Sequence, residues 1–359
     1  MKKTPILLAL ALLAAACNKP GTAEPAIENA EQAGTIHLQI ISEDQQLSKA
    51  VTPYSQSNNY EVAVTKIQIF VFNADGKISN YYVNQPYETP ALSQTISTTP
   101  GQKTVWVVLN GPDLKNVATE SELKASNIQL TDNRAQTASG FVMTGSGTCN
   151  VTGSQSVPCS VSVSRLLSRV VLSKVHNRLP SALGDITLEH IFLCNVVGNQ
   201  NVAGNAAPTL WYNKDGRCDT EPRNIDHIIY GTSSTYQASC PELTFKAING
   251  PAPSGASYGV RQFLYAYPNN SLVAPQGFTD PFTAKSTVLT VVATIQGTRY
   301  YYPVVLNKQP LERNHSYTVE LAITGPGSND PEKPADRGSV TVNVTIEDWD
   351  ATVTYEEVI

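Results

Sequence analysis

The chain has 359 residues, with 25 Lys and Arg against 30 Asp and Glu and a net charge of -5 spread along its length. That balance offers no basic patch for nucleic acid and no strongly charged face for a partner of opposite sign. Val, Thr, Ser, Tyr, Asn and Pro are plentiful and helix formers sparse, so the body is expected to be all-β, and its length exceeds one usual core and points to two domains.

The first seventeen residues read as a lipoprotein signal. Lys2 and Lys3 begin it, Ile6 to Leu13 form an apolar run too short to span a bilayer, and Ala14, Ala15 and Ala16 lead into Cys17, the expected lipidation site. The membrane is then reached only through the lipid of the precursor. Residues 18–34 lack apolar periodicity and are expected to be a tether. Ile36, Leu38 and Ile40 alternate with His37 and Gln39, the period of a half-buried strand. The polar run Ser42 to Ser48 then ends in Lys49-Ala50, an exposed loop of the kind proteases cut.

Lys66 to Phe72 is apolar on both faces, turns at Asn73-Ala74-Asp75-Gly76 and returns through Ile78 to Val83 as a hairpin. Lys103 to Leu109 is a further buried strand stopped by Asn110-Gly111-Pro112, and Ser121 to Ala125 is a short helix. Ser160 to Ser164 and Arg165 to Val175 are adjoining β-like segments with the domain boundary between them, which gives domains at 50–164 and 165–359 after a propeptide at 18–49. Ile186 to Val197 follows, then a poorly patterned region from Gly198 to Ser257. Strands resume at Phe263 to Tyr267, Thr287 to Gln296, Tyr300 to Leu306 and Tyr317 to Ile323. Ser339 to Ile346 alternates Val340, Val342, Val344 and Ile346, and a last short strand is expected at Ala351 to Tyr355.

Five cysteines remain after Cys17. In an oxidising exported setting Cys149 and Cys159, which flank a turn-rich stretch, are the preferred disulfide and Cys218 with Cys240 the next, leaving one thiol over. The five histidines, His37, His176, His190, His227 and His315, show no metal-ligand spacing. No zinc-protease, nucleophile-elbow or phosphate-loop motif occurs, so no cofactor is implied and the chain is not expected to be an enzyme. A different class of reading is a monomeric surface lipoprotein that stacks glycans on tyrosines such as Tyr81, Tyr82, Tyr300 and Tyr301.

Leu311-Glu312-Arg313-Asn314-His315-Ser316-Tyr317, then Ile323-Thr324-Gly325-Pro326-Gly327-Ser328, and finally Glu347-Asp348-Trp349 resemble the carboxyl-terminal signature of the major fimbrial subunit family, the fimbrillins of type V pili. Tyr301 to Asn307, Val107 to Pro112 and Arg169 to Val175 are similar to it as well, whereas residues 195–285 match little. The resemblance implies two transthyretin-like β-sandwich domains in tandem and an outer-membrane lipoprotein precursor. It also implies a maturation protease that removes the anchor and first strand, and a homopolymer grown by strand exchange. The matching cut lies at Lys49-Ala50, and since no Arg precedes Arg134 a Lys-cleaving or broader protease is implied in place of an Arg-specific one. Ile36, Leu38 and Ile40 would be displaced. The donor would come from Val340, Val342, Val344 and Ile346 or from Val353, Tyr355 and Val358 beyond Trp349. The partners implied are identical subunits, accessory fimbrial subunits and host proteins or glycans, in a fimbrium that supports adhesion and biofilm formation. A tip or anchor subunit is the nearer alternative.

Overall fold

The computed structural model describes residues 33–349 except 43–47, 50–60, 85–90, 134–139, 214–227, 230–235, 238–241, 276–282, 307–309 and positions 154, 260, 332, 334, 336 and 337. In chain order the first half holds β1 (Gly34–Ser42), β2 (Ser48–Lys49), β3 (Ala63–Val64), β4 (Ile67–Asn73), β5 (Ile78–Val83), β6 (Ser93–Thr98), β7 (Gly101–Leu109), α1 (Glu120–Ala125), β8 (Asn127–Gln129), β9 (Met143–Val151) and β10 (Ser156–Arg165). The second half holds β11 (Ser168–Asn177), β12 (Ile186–Cys194), β13 (Val196–Val197), β14 (Asn199–Asn201), β15 (Trp211–Tyr212), β16 (Ile228–Ile229), β17 (Tyr236–Gln237), β18 (Phe245–Ala252) and β19 (Ser257–Tyr258). It closes with β20 (Gln262–Ala266), β21 (Val288–Ile295), β22 (Thr298–Val305), β23 (His315–Ile323) and β24 (Val340–Asp348).

β5, β4, β7, β9, β10, β1 and β6 follow one another in a seven-stranded sheet that rolls over on itself. Ile36, Leu38 and Ile40 at one end thereby join Ile67, Ile69 and Val71, Val105, Val107 and Leu109, and Val161 and Val163 in one core. The opposite face of the same central strands is buried too, with Phe70, Phe72, Trp106 and Val108 inside a second core. That explains why β4 and β7 read as continuous apolar runs rather than as alternating strands. Gly76, at φ 77°, makes the β4–β5 turn. The helix starts one residue earlier than its pattern suggested, because Thr119 caps it and closes a capping box with Glu122.

In the second half, β19, β11, β23 and β24, with β20 also on β11, form one sheet, and β18, β12, β21 and β22 form another. Their inner residues, among them Val170, Leu172, Ile191, Leu193, Val291, Val319 and Leu321, pack as a sandwich. This core is continuous with Phe70, Leu123 and Phe141 of the first half. The halves also share a ladder, β8 with β14, three positions long. Strand registers pass from one half to the other between Arg165 and Ser168.

Besides several strands of two or three residues, three longer strands are absent from the sequence reading. β6 carries a single large aliphatic, Ile96; β9 is built of small and polar residues with Gly145 and Gly147; and β18 contains both Gly250 and Pro251. β18 lies inside the region that read as turns. The expected strand at Ala351 to Tyr355 lies outside the described residues.

Candidate assembly site

β1 occupies a slot between two strands. It runs parallel to β10 from Thr35 opposite Ser156 to Ser42 opposite Val163, and antiparallel to β6 from Gly34 opposite Thr98 to Gln39 opposite Ser93. Ile36, Leu38 and Ile40 are buried, while His37, Gln39 and Ile41 face outward. At ~1.5–3 kcal/mol for each aliphatic, the three inward side chains contribute about 5–9 kcal/mol gross. Gly34 is needed where it stands, because a Cβ there would meet Val151 Cγ1 at 2.2 Å. Among the described residues β6 has no ladder partner besides β1, and β10 pairs with β9 only at Ser164 opposite Thr144 and Arg165 opposite Met143. Taking β1 away would therefore leave unpaired backbone on both walls over an apolar floor.

Downstream of β1, the backbone of Ser48 and Lys49 pairs in parallel with Ala63 and Val64. The segment expected as an open loop thus ends in a two-residue ladder that must open before a protease can seat Lys49. Ala50 lies outside the described residues, as does Cys17.

The chain next enters a buried charged cluster at Glu61. Its Oε2 accepts from Arg169 Nη1 at 2.9 Å and from Trp349 Nε1 at 3.0 Å, and its Oε1 accepts from the Tyr265 hydroxyl at 2.6 Å. Arg165 Nε donates to the Glu61 backbone carbonyl at 2.8 Å, and its Nη1 to Asn314 Oδ1 at 3.1 Å. The Arg165 and Arg169 guanidiniums lie 4.6 and 5.2 Å from the Trp349 ring centre. Tyr265 stacks on that indole and Phe141 meets it edge-on. Glu61, Arg165, Arg169 and Trp349 are all buried. These donors replace the water that a carboxylate gives up on burial. Nothing local in the sequence singles out Glu61; Arg165 and Arg169 do carry a signal, as charges directly before and within the largely apolar run from Leu166 to Leu172.

β24 is the edge strand that leads to Trp349. It pairs with β23 at nine consecutive positions, from His315 opposite Asp348 to Ile323 opposite Val340. Val340 and Val344 are half-buried, while Val342 and Ile346 are 37% and 46% exposed. Trp349 then turns inward and donates its backbone N–H to Asn314 at 2.9 Å. Val353, Tyr355 and Val358 lie outside the described residues.

Cys149 and Cys159 are buried free thiols close enough to hydrogen-bond one another, and Cys194 is buried in the second half. Burial pushes both paired thiols up, Cys159 to about 12. Cys218 and Cys240 lie outside the described residues. Among the described residues no group of His, Cys, Asp and Glu is arranged to hold a metal ion. His315 sits at a strand start with Nδ1 2.8 Å from the Arg313 carbonyl. Tyr81, Tyr82, Tyr300 and Tyr301 are half-buried: Tyr81 donates to Gln68, and Tyr82 lines a pocket of about 230 Å³ between β5 and β6 with Ile69, Asn80 and Ile96.

Residues 35–158 match the family model of the major fimbrial subunit protein (FimA), and residues 276–349 match that of the FimA4 pilin C-terminal domain. The major fimbrium subunit FimA type-2 of Porphyromonas gingivalis is 26% identical, with 97% of this chain and 98% of that protein aligned. A fimbrilin of the same organism has the same fold at a TM-score of 0.58 and 13% identity, over 89% of this chain and 98% of that one. The tip fimbrial protein Mfa3, also from that organism, superposes at 0.51 and 14% identity, over 88% of this chain and 100% of that one. In sequence within both halves and in architecture throughout, the chain resembles the major fimbrial subunit proteins.

Proposed function

We propose that this chain is a structural subunit of a bacterial surface fimbria, exported as a lipoprotein precursor anchored through Cys17, cut at Lys49-Ala50 and polymerised by strand exchange in support of adhesion and biofilm formation. The observation that carries the reading is the placement of β1, a strand upstream of Lys49 that lies between β10 and β6 and that one cut would sever from the rest of the chain. A segment from the next subunit then refills the slot by strand addition, parallel to β10 and antiparallel to β6. The mature domains are 50–164 and 165–359, and accessory subunits and host proteins or glycans are the further partners.

The donor is the segment after Trp349, with Val353, Tyr355 and Val358 as its apolar side chains. What supports this choice over Val340, Val342, Val344 and Ile346 is the root. Using β24 would require breaking nine ladder pairs with β23 and drawing a fully buried tryptophan out of its cluster, whereas the residues beyond Trp349 can be donated with both left in place.

The test is limited proteolysis of the unlipidated precursor with a Lys-cleaving protease, reading the new amino terminus and the assembly state. Expected are a terminus at Ala50 and denaturant-resistant ladders, which vanish when residues 350–359 are deleted. A cut chain that stays monomeric overturns the stalk role in favour of a tip, an anchor or a monomeric glycan binder. Ladders that survive the deletion move the donor back to β24.

A further inference from the structure

The β9–β10 hairpin is thinly held on the side away from its base. Its registered pairs stop at Ser164 opposite Thr144 and Arg165 opposite Met143, after which β10 leaves β9 to pair with β1 along eight positions. The two strands nevertheless stay close. A Cβ on Gly145 would meet the Ser162 carbonyl oxygen at 1.9 Å, and one on Gly147 the Ser160 carbonyl oxygen at 2.6 Å. Continuing the register five residues toward the turn sets Cys149 opposite Cys159, and there the two thiols touch inside the core that also holds Leu38 and Ile40. Leu38 is the residue opposite Cys159 in the β1–β10 ladder.

Strand exchange at the β1 slot leaves β10 without a partner on that side between the loss of β1 and the arrival of the donor. Losing β1 removes its eight ladder partners and leaves two pairs to β9 at one end. Resting on that fimbrial function, we propose that Cys149 and Cys159 form a disulfide in the exported protein, and that this cross-link holds β10 against β9 while the slot beside it stands empty. The oxidant is the disulfide of a thiol–disulfide exchange protein of the exported compartment. Each Cys sulfhydryl gives up its proton, one sulfur attacks the carrier disulfide, and the second displaces the carrier. The products are one Cys149–Cys159 bond and a carrier reduced to two thiols. The exchange belongs to folding, before the core closes. Once packed, a thiol pushed up to about 12 presents almost no thiolate to attack a carrier.

The test uses the full precursor isolated oxidised from the exported compartment, the same precursor refolded under reductant, and the double variant Cys149→Ala with Cys159→Ala. Peptide mapping of the oxidised protein is expected to recover the two cysteines in one linked peptide, lighter by about 2 Da than the reduced pair. After the Lys49-Ala50 cut, reduced and variant chains are expected to lose amide-exchange protection over residues 159–163 and to assemble about tenfold or more slowly than oxidised chains. Freely alkylated thiols in the exported protein overturn the proposal, as do equal assembly rates in the two redox states. Should even oxidised cut chains fail to assemble, the fimbrial reading falls separately, and exchange over residues 159–163 decides alone: equal protection with and without the disulfide overturns it. The precursor before the cut, with β1 in place, serves as the internal control and is expected to differ little between redox states in that strand.

Discussion

Glu61, close behind the proposed new amino terminus, holds Arg169 and the tryptophan at the root of the proposed donor on its carboxylate, and Arg165 on its backbone carbonyl. Replacing it by Gln keeps the shape but leaves Arg169 without its charge partner, and such an uncompensated buried charge costs ~3–5 kcal/mol. Trp349→Ala empties a fully buried site and is expected to cost ~3–5 kcal/mol as well. Both are read by denaturant unfolding of the precursor, and a loss below ~1 kcal/mol in either would contradict the cluster's structural weight. A surface pair behaves differently. The hydrogen bond from His176 Nε2, at 2.7 Å, holds the Glu320 carboxyl below its ordinary value of 4.5. A depressed carboxylate contributes stability above that value and loses it as pH falls through the folded one. The stability difference between the protein and Glu320→Gln is therefore expected at neutral pH and to shrink below about 4.5, checked by urea unfolding at several pH values. Trp349 was legible in the sequence through the Glu347-Asp348-Trp349 signature. Glu61 was not, because a lone acidic residue acquires meaning only when residues more than a hundred positions away fold around it.

Among the strands, those that were legible state their own case. β1 alternates, β4 and β7 are apolar on both faces, and β23 ends at a turn rich in Gly and Pro. β6 and β9 do not, since each is held by what lies beside it: β6 by the ladder to β1, β9 by the nine-position ladder to β7. Small residues in β9 look like a turn until Gly145 and Gly147 are seen to admit the backbone of β10. A synthetic peptide with the sequence Gly34 to Ser42 should compete for the emptied slot and halt ladder growth of cut chains. The same peptide with Leu38→Glu should not, because it would bury an unpaired carboxylate. Equal inhibition by both would show that the peptide acts elsewhere.

At the scale of the whole molecule, sequence patterning suggested two units; β10 ends at Arg165 and β11 begins at Ser168. What no pattern announces is that one core runs from Phe70 and Trp106 through Phe141 to Leu193 and Val319. With that core shared, thermal unfolding is expected as one cooperative transition, coincident by calorimetry and by the fluorescence of Trp106, Trp211 and Trp349; two separated transitions would refute the coupling. The direction of β1 reaches further. Refilled in the same direction, parallel to β10, the slot of the proposed polymer would receive its donor from a different surface of the next subunit, a head-to-tail contact that extends as a filament when its rotation does not close a ring. Pull on such a chain of subunits acts along the inserted strand, flanked by neighbours on both sides. The hydrogen bonds are then loaded in shear, many at once, rather than peeled singly from one end, and flow or host traction would be resisted by the whole length of the slot.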